Sequence, residues 1–412
     1  MKELLGEVQR KHLLLVIYSL VFLLLLYGVI QVSGWQYVPN LLLYFSAFIA
    51  FYVAILVLNG KLGFFRKQFG WPQIIGNQLR VEYLAVASLL GIAIHFIFLG
   101  NIPTWDAYKA MKLSEVVIIR RNITENMPTW VNYMMSWNLK SLIPFTLAIL
   151  FIRKDHKWFW IFFPIAVIYA FFMMQKSFIL VILIPLGILA FITKRWGYLI
   201  MSGIIALTVV VTLFYVQNVT LRGGFNDIRL EYEKEPSPSG LVDRLFGGLL
   251  KRVSVVPGKT VAKWFEFIPT EKPYLYGNGY KAVSKLTGGE YHDYARELYP
   301  YIYKENAKHG LVGSVNVASF MRGYANFGLP GLVLAAFLLA IVLIFIESIY
   351  AGFDVFKFTF NVFPVLMLSS TSLETNLASG GWLLTTGLFL LFRDKLPVLT
   401  RTKKTFNTNH VS

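Results

Sequence analysis

The 412-residue chain contains no cysteine, so no disulfide staples a loop and no thiolate serves as nucleophile or metal ligand. Charge is scarce: 15% of residues are Asp, Glu, Lys or Arg, against 56% hydrophobic and 16% aromatic. A soluble domain of this length cannot cover so much apolar surface with so few polar groups. Histidine numbers only six. No His-Glu-x-x-His, cysteine-pair or Asp-x-Asp spacing offers a metal site, and Glu290, His292 and Asp293 come nearest to one without matching any pattern. No metal and no cofactor is expected. No internal repeat is visible. No small-residue cleavage site follows the first apolar run, so residues from Leu13 onward read as a retained span.

What remains is lipid-seeking sequence. Several apolar runs approach the ~20 residues that cross a bilayer as a helix, and in lipid the backbone must satisfy its own hydrogen bonds. The pattern predicts an all-α polytopic integral membrane protein with about ten spans: 13–33, 38–58, 81–100, 138–152, 158–174, 177–193, 197–217, 326–347, 358–373 and 380–392. The net charge of +17 would suggest nucleic acid in a soluble protein, but Lys and Arg here cluster between alternate spans. The clusters at Lys2/Arg10/Lys11, Lys61–Arg80, Arg153–Lys157, Lys194/Arg195, Lys357 and Arg393–Lys404 share one side if both termini are cytoplasmic. Nucleic acid is therefore not an expected partner; membrane lipid is.

The chain divides into an N-terminal membrane bundle (1–217, with an outer loop at 101–137), a large outer segment (218–325), C-terminal spans (326–393) and a cytoplasmic tail (394–412). Within the large segment, Glu231–Gly240 is a Pro- and Ser-bearing linker. Leu241, Leu245, Leu249, Leu250 and Val253 recur at helical spacing and predict an amphipathic helix for the headgroup layer. A further helix is expected through 291–308, ended by Gly310.

Candidate chemistry gathers at the outer interface. Arg222 follows the seventh span and Arg322 precedes the eighth. Both are expected to hold phosphate bidentately, the alternative being arginines that snorkel to headgroups. Arg120, Arg121, Arg229 and Arg296 are weaker candidates for the same task. Lys176 interrupts two apolar spans; it either caps a turn or points into a phosphate cavity. Tyrosines crowd residues 274–303, Tyr301 among them, and suit sugar faces as well as an interfacial belt. His309 can act as a general base on a hydroxyl, with Glu305, Glu297 and Asp293 as rival carboxylates. Glu374 and Asn376 either line the same cavity or form a polar hairpin.

Residues Gly313–Gly331, with Tyr324-x-Asn326-Phe327-Gly328-x-x-Gly331 opening a span, resemble the O-antigen polymerase (Wzy-type repeat-unit polymerase) family, and the layout of spans and late outer loop is similar along nearly the whole chain. The resemblance implies a GT-C-like membrane glycosyltransferase. Such an enzyme joins oligosaccharide repeat units carried on undecaprenyl pyrophosphate at the outer face of the bacterial cytoplasmic membrane. It also implies that Arg222 and Arg322 bind the phosphates and that Tyr324 belongs to the substrate region. A chain-length regulator is implied as a possible partner. Family members often carry an acidic residue just before the Tyr-x-Asn-Phe-Gly run. Arg322-Gly323 stands there in this chain, which shifts the base role toward His309 or a loop carboxylate. The alternatives are an O-antigen ligase, which transfers to lipid A core, and a transporter or flippase of lipid-linked sugars.

Overall fold

The computed structural model describes residues 11–62, 79–225, 251–308 and 310–397. Among these the fold is helical, with no strand and one isolated bridge between Lys112 and Phe225. The helices are α1 (Leu13–Ser33), α2 (Val38–Leu62), α3 (Val81–Leu99), α4 (Pro103–Lys109), α5 (Leu113–Glu125), α6 (Thr129–Trp137), α7 (Ile143–Arg153), α8 (His156–Phe172), α9 (Lys176–Ile192) and α10 (Trp196–Gln217). After the outer segment begins come α11 (Val256–Phe267), α12 (Lys281–Thr287), α13 (Tyr294–Glu297), α14 (Tyr299–Ile302) and α15 (Lys304–Lys308). The chain closes with α16 (Met321–Ile349), α17 (Asp354–Met367), α18 (Leu373–Leu377) and α19 (Trp382–Phe392).

Among the described residues, seven stretches are long and apolar enough to cross a membrane, and α8 and α9 are shorter apolar helices of 17 residues each. The span expected at 138–152 is longer than its apolar text, because α6 and α7 join through a π-helical turn at Asn138–Leu142. The helix expected from 326 begins five residues earlier, at Met321, and breaks at Gly328. The amphipathic helix predicted from Leu241 and the linker at 231–240 lie outside the described residues, save the last turn.

The turns at 154–155, 173–175 and 193–195 are short, so α7, α8, α9 and α10 run antiparallel to their neighbours. That alternation puts α4–α6, residues 173–175, α11–α15 and the 368–381 segment at one end of the bundle. Arg80, Arg153 and Lys395 fall at the other, where they line one cavity. The polar end is tied to the bundle by close backbone approach. A Cβ on Gly28 of α1 would sit 2.0 Å from the Ser254 carbonyl oxygen, and one on Gly258 of α11 would sit 2.3 Å from the Gly28 carbonyl carbon. At the basic end, buried Glu347 accepts the Leu14 amide at 2.7 Å and the Tyr52 hydroxyl. A carboxylate at the N-terminus of α1 supplies the acceptor that first-turn amides lack.

Candidate functional site: a cationic cavity at the polar end

The Tyr-x-Asn-Phe-Gly run works as a lock. Gly328 has φ +64° and ψ −140°, a backbone conformation that glycine tolerates, and it kinks α16. Pro330 has no N–H, so the carbonyl of Asn326 loses its helical donor. The outer segment takes up what the kink releases: the Leu275 amide donates to the Ala325 carbonyl and the Tyr276 amide to that of Asn326, both at 2.9 Å. The Asn326 side chain completes the joint. Its oxygen accepts the amides of Gly277 (3.0 Å) and Gly279 (2.9 Å), and its nitrogen donates to the Arg322 carbonyl (2.7 Å). The Tyr324 hydroxyl donates to the Ile268 carbonyl at 3.1 Å. Tyr324 and Asn326 are thus engaged with backbone, and what they position is Arg322.

The Arg322 guanidinium is half-buried and forms no hydrogen bond or ion pair among the described residues. It lies near Tyr280 and Tyr291, together with Glu374 of α18, one of whose carboxylate oxygens is buried without a hydrogen-bond partner. Burial pushes the Tyr280 phenol up to about 12; Glu374 adds to the rise and Arg322 opposes it. Tyr291 is raised as well, chiefly by burial, with Asp293 next and the two arginines Arg322 and Arg296 pulling it back. Both phenols therefore stay protonated at neutral pH and act as hydroxyl donors.

Next to this cluster opens a cavity of about 990 Å³. Arg120 and Arg121 reach it from α5, Arg296 from α13 and Lys140 from the π-turn, with Asn132, Gln175 and Tyr299 between them. Arg121 is paired with Glu125 one turn on, and Arg296 lies 3.8 Å from Asp293. Arg120 and Lys140 have no such partner among the described residues. The cavity therefore holds an excess of positive charge, with a large opening and tyrosine and amide groups at its walls. Arg296 connects the two regions, lining the cavity while acting on Tyr291.

Three of the arginines expected to bind phosphate thus meet in one place; Arg322 is not part of the cavity wall and is linked to it through Tyr291, on which it and Arg296 both act. Arg222 lies elsewhere. Its guanidinium donates to the carbonyls of Tyr108 and, at 3.0 Å, Ala107, closing the C-terminal end of α4, and it sits 5.6 Å from the Tyr108 ring. Lys176 is the first residue of α9, with its ammonium 5.4 Å from the Phe214 ring; its neighbour Gln175 takes the place in the cavity wall. The Tyr301 hydroxyl donates to Glu266 at 2.9 Å, in a cluster with Lys263 and Lys304. His309 and Arg229 lie outside the described residues. No group of three or more His, Asp or Glu that could hold a metal occurs among the described residues.

Sequence reasoning missed Lys140. The signal was present: it is the one charged residue between Asn138 and Ile152, and an ionisable group inside an apolar run marks a functional position. Comparison of the chain with protein-family models, with curated proteins and with solved structures finds no match.

Proposed function

We propose that this protein is a polytopic membrane glycosyltransferase that joins lipid-pyrophosphate-linked oligosaccharide units, as an O-antigen-type polymerase does. The observation that carries the reading is the convergence of Arg120, Arg121, Arg296 and Lys140 on one cavity, with Arg322 linked to it through Tyr291. A pyrophosphate diester carries two negative charges, and planar guanidinium forks bind such oxygens in pairs. The cavity volume suits a sugar chain more than an ion, and the flanking tyrosines offer flat faces and hydroxyl donors.

In this mechanism the growing glycan is the donor. A hydroxyl of the incoming unit attacks the anomeric carbon, a C–O bond forms, and the bond from that carbon to the pyrophosphate oxygen breaks. The electron pair leaves with the pyrophosphate, whose charge the arginines stabilise. Each such donor is worth about 10²–10³ in rate. The proton of the attacking hydroxyl passes to a nearby base. Glu374 is favoured over the sequence-level candidate His309, because its buried carboxylate oxygen has no partner and Arg322 shares its site. Base catalysis of this kind contributes about 10²–10⁴-fold.

The reading includes ten crossings, a GT-C-like arrangement, both termini in the cytoplasm of a bacterium, the cavity facing outward and undecaprenyl pyrophosphate as carrier. A chain-length regulator is a fitting partner for a processive polymerase. The test is a glycan-extension assay with purified protein and lipid-linked repeat units in detergent. Longer glycan on the polyprenyl carrier, abolished in an Arg120→Ala/Arg296→Ala double variant, is the expected result. Transfer only to lipid A core points to a ligase, and lipid movement without a new glycosidic bond points to a transporter. Either outcome overturns the proposal.

A further inference from the structure

Lys140 faces two spaces at once. One is the cationic cavity. The other is a smaller, partly open pocket of about 70 Å³, walled by Pro144, Phe145, Val181, Pro185 and Phe360, with Ser141, Thr371 and Asn376 also in its wall. That volume is several times the roughly 10–15 Å³ that holds one water, and most of its wall is hydrocarbon. Phe145 lies five residues beyond Lys140 along the helix, about one and a half turns deeper into the bundle. The single ammonium thus lines a polar cavity and a mostly apolar pocket at once.

Lys140 belongs to the π-turn Asn138–Leu142. Inserting a residue into the turn changes which face each side chain meets, and such turns recur at functional sites. Its neighbours are fastened on both flanks. Asn138 donates to the Ser88 carbonyl at 2.9 Å, the Ser136 hydroxyl to the Ser379 carbonyl at 2.6 Å, and the Ser141 hydroxyl to the Gly381 carbonyl at 2.6 Å. The Thr385 hydroxyl joins Ser141 at 2.9 Å. Lys140, between these anchored residues, is left without a hydrogen bond or ion pair among the described residues. An ammonium in such surroundings is costly unless an anion meets it.

We propose that Lys140 and the mostly apolar pocket it lines seat the junction of a polyprenyl phosphate: the phosphate on the ammonium, the first isoprenyl unit among Pro144, Phe145 and Val181. The inference rests on the functional reading above for the nature of the lipid, and it names the residue that sets its depth. An ordinary phospholipid offers the same phosphate but two acyl chains on a glycerol, which the single narrow pocket does not match.

Binding of undecaprenyl phosphate, geranylgeraniol, inorganic pyrophosphate and phosphatidylglycerol to the full chain in detergent micelles tests this without turnover. Lys140→Gln weakens undecaprenyl phosphate by about tenfold or more while geranylgeraniol is unchanged; Lys140→Arg binds nearly as wild type. Val181→Trp, which fills the pocket, weakens undecaprenyl phosphate but not inorganic pyrophosphate. Lys140→Met, which keeps the aliphatic stem, replaces the glutamine variant if that one fails to melt cooperatively. Unchanged binding in either the Lys140 or the Val181 variant overturns the proposal, as does equal competition by phosphatidylglycerol. Wild-type protein that shows the expected pattern yet makes no glycosidic bond removes the functional reading and leaves the seat standing. Active wild-type protein with unaltered variants removes the seat alone.

Discussion

The side-chain oxygen of Asn326 accepts the backbone amide of Gly279 at 2.9 Å, bridging 47 residues of chain. It accepts the Gly277 amide as well, while the amide nitrogen holds the Arg322 carbonyl. One side chain thus fixes the outer segment to the kinked start of α16. Asn326→Ala leaves two buried N–H groups without an acceptor, a cost of about 2–4 kcal/mol at ~1–3 kcal/mol for each such group, partly relieved by relaxation. Asn326→Asp keeps the acceptor oxygen but sets a second oxygen against the Arg322 carbonyl, so it probes the donor half of the joint and is expected to lose stability as well. Thermal unfolding of the two variants in detergent checks both halves; no loss in the alanine variant would mean the oxygen is not an anchoring atom.

The titration of Tyr280 reports the charges around it. Its phenol is raised from the ordinary 10 to about 12, with burial the largest cause. The sign follows: the stabilisation tied to the neutral phenol is complete below pH 10 and disappears as pH climbs through about 12. Glu374→Gln removes a raising influence and moves the value down. Arg322→Gln removes a lowering influence and moves it up. Tyrosine labelled with ¹³C at the ring ζ carbon, assigned through Tyr280→Phe, gives the value in each variant. Shifts in the same direction in both would separate Tyr280 from the Arg322–Glu374 pair.

Much of this architecture was legible in the chain. Apolar runs near bilayer length gave α1–α3, α7–α10 and α16 within a few residues, because in lipid the backbone has no other way to satisfy its groups, whereas α4–α6 fall in the stretch read as an outer loop. Arginines 120, 121 and 296 were marked as phosphate candidates, and the cavity brings them together. What the sequence could not convey was pairing across distance. Arg222 looked like Arg322 in one dimension, each at a mouth of the outer loop, yet its guanidinium is engaged by two carbonyls of α4. Lys140 stood out only as a lone charge in an apolar run; which spaces it faces depends on a π-turn, and hydrophobic periodicity does not register one extra residue in a turn. Tyr324 and Asn326 carried the family resemblance but are bound to backbone, a role that only the contacts of the distant 268–279 segment disclose.

The assignment of Arg222 leads to a variant with a structural rather than catalytic signature. Charge-assisted hydrogen bonds contribute about 1.5–3 kcal/mol when buried, and this guanidinium is only partly so, which brings the expected cost of Arg222→Ala to about 1–2 kcal/mol. The loss is local, loosening the end of α4 and the contact between Phe225 and Met111, whose backbones pair at 3.0 Å. Limited proteolysis is expected to cut near 108–112 faster in the variant, with glycan extension lowered less than tenfold. A collapse of extension with unchanged proteolysis would return Arg222 to the phosphate site.

Glu374→Gln separates the base from the scaffold. The amide keeps the shape of the side chain and α18 keeps its cap, since the Ser372 hydroxyl, not Glu374, accepts the Thr375 amide at 3.4 Å. Lipid-linked donor therefore still binds, while extension falls about 10²–10⁴-fold, the usual range for loss of a positioned base. Glu374→Asp retains the carboxylate one methylene short and recovers part of the rate. Donor binding measured beside extension is the decisive readout: loss of a base lowers the rate and leaves the affinity for lipid-linked donor unchanged. If the variant keeps its rate, the proton goes elsewhere, and His309 becomes the residue to replace next.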